Sequence, residues 1–234
     1  MQRVRERIAR VAERAGRRSE EITLVAVSKT QPAEAIRAAY EAGVRHFGEN
    51  RVQEWESKRA ALADLVDARW HLIGHLQSNK ARKAAGFFHR VDSVDSVALA
   101  AKLNAAVAEL GGEQLGVLIE VRVSPEAAKS GVEEAGLSDL VDAIVALSHL
   151  ELRGLMCIPP FFEEAEKARP FFRRLCELRV SLCTLLAKRH SGRREESILP
   201  ELSMGMSHDF EVAIEEGATQ VRVGTALFGA RGTI

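Results

Sequence analysis

The chain has 234 residues, 46% of them hydrophobic, and its 33 basic and 33 acidic side chains give a formal net charge of zero. The length suits one large α/β barrel or two small domains, and the balanced charge argues against a general nucleic-acid binder, which carries a basic excess. No apolar run approaches the roughly 20 residues of a membrane span, and the stretch Met1 to Arg18 has no apolar signal-peptide core, so a cytoplasmic protein without membrane partners is expected.

An amphipathic helix comes first, around Val4 to Ala15, with Val4, Ile8, Val11 and Ala15 on one stripe. Strand patterns then follow at Thr23–Ser28, His46–Gly48, Trp70–Ile73, His89–Val91, Gly116–Val123, Arg153–Ile158, Glu201–Ser203 and Gln220–Val223. Helical patterns fill the gaps at Ala33–Ala42, Val52–Leu65, Lys80–Ala85, Val97–Leu110, Leu137–Leu147, Glu164–Lys188 and Asp209–Glu216, with a last turn at Ala226–Phe228. Eight strand–helix pairs in this length predict an α/β chain folded as a (β/α)8 TIM barrel with an extra N-terminal helix. An open doubly wound sheet would use fewer strands and often a Gly-x-Gly-x-x-Gly turn, which is absent. No repeat or Pro/Gly linker divides the chain, so one domain over residues 1–234 is expected. The polar stretch Lys188 to Glu196 reads as a solvated loop before the seventh strand. Cys157, Cys176 and Cys183 form no Cys-x-x-Cys pair, and the histidines lack ligand spacing, so reduced thiols and no metal site are expected.

Barrel chemistry gathers at the C-terminal ends of the strands. Lys29 sits there, after the apolar run Leu24 to Val27. It is either a solvated strand end or an amine available to form a Schiff base with an aldehyde. Ser203-Met-Gly-Met-Ser207 follows the seventh strand and Val221-Arg-Val-Gly-Thr225 forms the eighth. Loops after these two strands frequently bind phosphate in such barrels. Ser207 can cap the helix beginning at His208 or Asp209, or contribute to an anion site with Gly205, Gly224 and Thr225. Strand alternation puts Arg222 and Gly224 on one face. An arginine inside the barrel needs a polar ligand atom or an acid such as Glu120 or Glu49.

Seven segments recur together: Ala26-Val-Ser-Lys29-Thr30, Phe47-Gly-Glu-Asn50, Trp70 to Lys80, Lys129-Ser-Gly131, Arg153-Gly-Leu-Met156, Leu202 to Ser207, and Val221 to Thr225 with Phe228 to Arg231. In this order they resemble the pyridoxal phosphate homeostasis proteins, the YggS/PROSC family, from about Val4 to Arg231. The resemblance implies a barrel like the alanine racemase N-terminal domain, with pyridoxal 5′-phosphate (PLP) as cofactor, held as a Schiff base on Lys29. It matches Ser207, Gly224 and Thr225 to the phosphate positions, Arg222 to the residue facing the pyridine nitrogen, and Asn50, Met156 and Ser203 to the cofactor lining. It implies a role in vitamin B6 homeostasis, without catalytic residues and with apo PLP-dependent enzymes as candidate partners.

Arg122 departs from the asparagine many relatives carry, and either reaches the rim or pairs with the outer helices. The alternative function is a small PLP-dependent amino-acid racemase or lyase. Arginine can only donate to the ring nitrogen, which weakens the electron sink; alanine racemase also uses an arginine there, but takes a second base from a tyrosine in a partner's C-terminal domain. The only tyrosine, Tyr40, falls in a helix pattern between strands, and no second domain like that of a racemase is expected. A monomer or weak dimer is therefore expected.

Overall fold

The computed structural model describes residues 1–124, 130–189 and 199–229. Eight parallel strands close on one another in chain order: β1 (Thr23–Val27), β2 (His46–Glu49), β3 (Arg69–Leu72), β4 (Arg90–Val94), β5 (Leu115–Glu120), β6 (Leu150–Met156), β7 (Glu201–Met206) and β8 (Gln220–Val223). Closure comes from β1 pairing with β8, with Val25 opposite Arg222. After an N-terminal helix α1 (Gln2–Arg14), the strands are linked by α2 (Ala33–Glu41), α3 (Val52–Lys58), α4 (Ala81–Phe87), α5 (Val97–Leu110), α6 (Glu134–Val145), α7 (Arg169–Arg189) and α8 (Phe210–Glu215), and α9 (Thr225–Phe228) follows β8. The barrel and the extra helix agree with the sequence expectation. Lys129, nearly all of Lys188–Glu196, and the Ala230-Arg231 pair lie outside the described residues.

Element ends follow local chemistry. Ser96 caps α5 by accepting the Leu99 N–H, and Gly111 stops it in the left-handed region at φ 65°. The helical pattern predicted over Val52–Leu65 is shorter in the fold: α3 ends at Lys58 and a 3-10 segment continues from Arg59 to Leu62. At Gly154 a Cβ would stand 1.9 Å from the Glu201 carbonyl oxygen. Only glycine lets β6 approach β7 there, beside the register shift between β5 and β6. α1 is bound to α8 by the Arg7–Glu211 ion pair at 2.9 Å, and Arg7 covers the Phe210 ring.

The apolar core lies mainly between strands and helices. Inside the barrel the picture is mixed. Val25, Leu118 and Met156 are buried but stand apart from that core. Polar side chains fill much of the rest. His46 and His71 meet through ring nitrogens 3.0 Å apart, and His71 Nδ1 lies 3.1 Å from Asp92 Oδ2. Arg90 pairs with Asp92 and Glu201, and Arg153 with Glu201. His71 is a fully buried member of this layer.

Burial and the neighbouring His71 and Arg90 depress the His46 pKa from 6.5 to about 4, with Asp92 opposing. The unfolded chain therefore takes up that proton first, so His46 contributes stability that is complete above 6.5 and is lost as pH falls toward 4. Burial pushes Asp92 up, but His71, Arg90 and Gln220 hold it well below the usual carboxylate range, so acid weakens the fold here too. The thermal midpoint is expected to drop between about pH 7 and about pH 4.5, and His46→Gln should flatten the slope. An unchanged slope in scanning calorimetry of that variant would contradict this account.

Candidate functional site

Lys29 lies two residues beyond β1, half-buried, in a turn held from outside by α3. The Ser28 N–H donates to the Gly48 carbonyl at 2.9 Å, and its hydroxyl donates to Glu49 at 2.7 Å. Lys58 of α3 donates to the Ser28 carbonyl at 3.0 Å, to Glu49 at 3.2 Å and to Glu54 at 2.6 Å. Glu54 also accepts the Thr30 N–H. Thr30 has φ 62°, a left-handed conformation uncommon for a non-glycine residue, and this clamp stabilises it. Glu49 is fully buried. Burial raises its pKa, while Lys58 and the Ser28 hydroxyl act in the opposite direction.

Closure of the barrel sets the ends of β8 and β7 beside this turn. Val27 lies against Gly224, with its Cβ 3.4 Å from where a glycine Cβ would be. Arg222 is buried on the inner face, donating to Ser203 Oγ at 2.7 Å and to the Cys157 carbonyl at 2.8 Å. Among the described residues no acid forms an ion pair with it, so the Glu120 and Glu49 pairings considered from sequence are not made. Glu49 is taken by Lys58 and Glu120 by Ser130. Burial lowers the Arg222 pKa, with Asp92, Glu120 and Asp209 among the groups opposing.

Ser207 does not cap the following helix as its position in sequence allowed. Its hydroxyl oxygen accepts from the Gly224 N–H at 3.1 Å and the Ala226 N–H at 3.4 Å, joining the two rim loops. The Met206 N–H is instead satisfied by Asp209 Oδ1 at 2.6 Å. Gly205, at φ 89°, lets this turn sit on α8, where a Cβ would stand 2.6 Å from that of Ala213. Thr225 opens α9 and is exposed. Met156 ends β6, fully buried opposite Glu120 and Ser203. Asn50 follows β2, and its backbone occupies the space beside Gly74.

Lys29, Ser203, Ser207, Arg222, Gly224 and Thr225 are thus carried by β1, β7 and β8, three consecutive staves of the barrel wall. They supply an amine, hydroxyls, backbone N–H groups and a guanidinium. This set suits a ligand carrying an anionic group, an aldehyde and an aromatic ring nitrogen. Arg122 is not part of it: it pairs with Glu133 at 2.9 Å. Tyr40 is on α2 under Arg45, and His75 pairs with Asp95 at 3.3 Å. A separate cavity of about 450 Å³, lined by Arg5, Ile8, Ile22 and Leu24 among others, touches none of the candidate residues. Lys58, Glu54 and Gln220 were not singled out in the sequence. The i, i+4 spacing of Glu54 and Lys58 was the one readable sign.

The family model described as alanine racemase, N-terminal domain, matches residues 1–232. The chain is 47% identical over 232 residues to the pyridoxal phosphate homeostasis protein of Aquifex aeolicus, covering 99% of this chain and 96% of that one. It is 44% identical to the protein of the same name from Escherichia coli K12, with 97% and 94% covered. Among solved structures, PipY of Synechococcus elongatus with PLP bound superposes with a TM-score of 0.82 at 42% identity, covering 95% of this chain and 100% of that one. Alanine racemase from Corynebacterium glutamicum shares the fold, with a TM-score of 0.65 at 19% identity over 97% of this chain and 61% of that one.

The clamp gives a stability prediction. Lys58→Met leaves Glu49 buried without its cation and should cost about 3 kcal/mol. Urea unfolding of wild type and variant measures it, and a change under about 0.5 kcal/mol would mean the pair is not coupled as described.

Proposed function

We propose, from the premise that the chain belongs to the pyridoxal phosphate homeostasis protein family, that it binds PLP at the barrel mouth and serves intracellular vitamin B6 homeostasis. When bound, PLP supplies an aldehyde that an amine captures and a ring that withdraws electrons, most strongly with its nitrogen protonated. Lys29 is the attachment point, its unprotonated amine forming a Schiff base with release of water. Ser207 and the backbone of Gly224 and Thr225 hold the phosphate, Arg222 faces the ring nitrogen, and Asn50, Met156 and Ser203 line the ring. The observation that carries this reading is the β1–β8 pairing, which sets Val25 opposite Arg222 and Val27, two residues before Lys29, against Gly224.

Carriage rather than turnover is supported by Arg222. A guanidinium donates and does not accept, so it favours an unprotonated ring nitrogen and a weak electron sink. The cofactor is held for delivery, and apo PLP-dependent enzymes are the fitting recipients.

Purified protein loaded with PLP should absorb near roughly 420 nm, and Lys29→Ala should lose that band on dialysis. Borohydride treatment should give the wild type, and not the variant, a permanent mass adduct. A chromophore that survives in Lys29→Ala refutes the attachment. Incubation with amino acids in heavy water should give no enzyme-like exchange at Cα. Exchange that depends on Lys29 would replace the carrier reading with a racemase or lyase.

A further inference from the structure

Behind Arg222 lies a chain of hydrogen bonds with only one possible direction. Asp92, Ser203 and Gln220 are buried at 0%, 0% and 1% exposure. Gln220 Nε2 lies 2.8 Å from Asp92 Oδ2 and 2.9 Å from Ser203 Oγ, and Arg222 Nη1 lies 2.7 Å from the same Ser203 oxygen. A carboxylate accepts and cannot donate. Asp92 is held ionised by His71, Arg90 and Gln220 against the cost of burial. It therefore fixes which end of the Gln220 amide faces it, a choice otherwise open to rotation. With one N–H on Asp92, the other points at Ser203.

Ser203 then has both acceptor sites filled, one by Gln220 and one by Arg222. A hydroxyl has two acceptor sites and one hydrogen. Its hydrogen is left to point away from both donors, and among the described residues it has no acceptor. Were Gln220 apolar, one of those two acceptor sites on Ser203 would be left empty.

We propose that Asp92 and Gln220 are positioning residues that lock Ser203 and Arg222 into a donor-only pair, which accepts no proton from the ring nitrogen of bound PLP. This rests on the binding reading given above. The lock acts through the polarity of hydrogen bonds, not through added contacts to the cofactor. A protonated ring nitrogen needs an acceptor, and this pair offers none.

The test is the nitrogen NMR shift of protein loaded with PLP labelled with 15N in the ring. Wild type should show the position of an unprotonated pyridine. Gln220→Glu reverses the chain: its carboxyl hydrogen goes to Asp92, Ser203 must donate inward, and its free lone pair meets the ligand. In that variant the ring resonance should move upfield, toward the pyridinium position, while the Lys29 chromophore is retained. Gln220→Met, close in volume and without a second buried acid, should move the resonance in the same direction and covers the case in which Gln220→Glu fails to fold. A wild-type resonance at the pyridinium position overturns the lock, as does a resonance unmoved in a folded, loaded variant. Failure of the wild type to retain PLP at all would instead refute the binding reading.

Discussion

The hydrogen bonds between the first and last strands are the constraint on which the rest depends. Residues some 200 positions apart become neighbours only because β1 takes its place against β8. Without that seam, Lys29 follows one edge strand of an open sheet and Arg222 sits on the opposite edge. With it, an amine, a guanidinium and the two loops tied by Ser207 share one rim. The geometry comes from strand number and register, which the backbone sets before any functional side chain takes part.

The barrel interior shows what this arrangement costs. Small parallel barrels usually fill their centre with branched apolar side chains. Here His46, His71, Arg90, Asp92, Arg153, Glu201 and Gln220 take much of that space, with each of the two acids set beside basic side chains. Buried charges are tolerable when paired, and removing one partner is what destabilises. The layer also gives the site its electrostatic direction, since Asp92 lies at its centre and Gln220 connects it to Ser203 and Arg222.

Much of this was legible in the sequence, and the limits have physical causes. Strand positions were readable because strands covered on both faces appear as apolar runs, and β8 was placed to the residue. Helix ends were less so, because α3 passes into a 3-10 segment whose pattern resembles the helix before it. Lys29, Arg222 and the rim glycines stood out as unusual residues at strand ends. The partners of those residues did not. Ser207 was read either as a cap for its own helix or as part of an anion site; the cap is not made, since sequence shows only local neighbours and its oxygen serves the next strand's loop. Arg222 was matched to Glu120 or Glu49, and both acids are engaged elsewhere. Charge alone cannot select among several buried carboxylates, because selection depends on ångström-scale placement.

The clamp behind Lys29 also bears on how such a sequence can change over generations. Positions 28, 30, 49, 54 and 58 lie on three separate elements, yet share one hydrogen-bond network. Groups in one network do not contribute independently. A replacement at Glu54 alters what Lys58 must do, and one at Lys58 alters what Glu49 can tolerate. Neutral drift on this face of α3 is therefore confined to compensated pairs, although Glu54 and Lys58 resemble an ordinary surface pair. The freedom to vary a residue is set here by the company it keeps, even one helix removed from the chemistry.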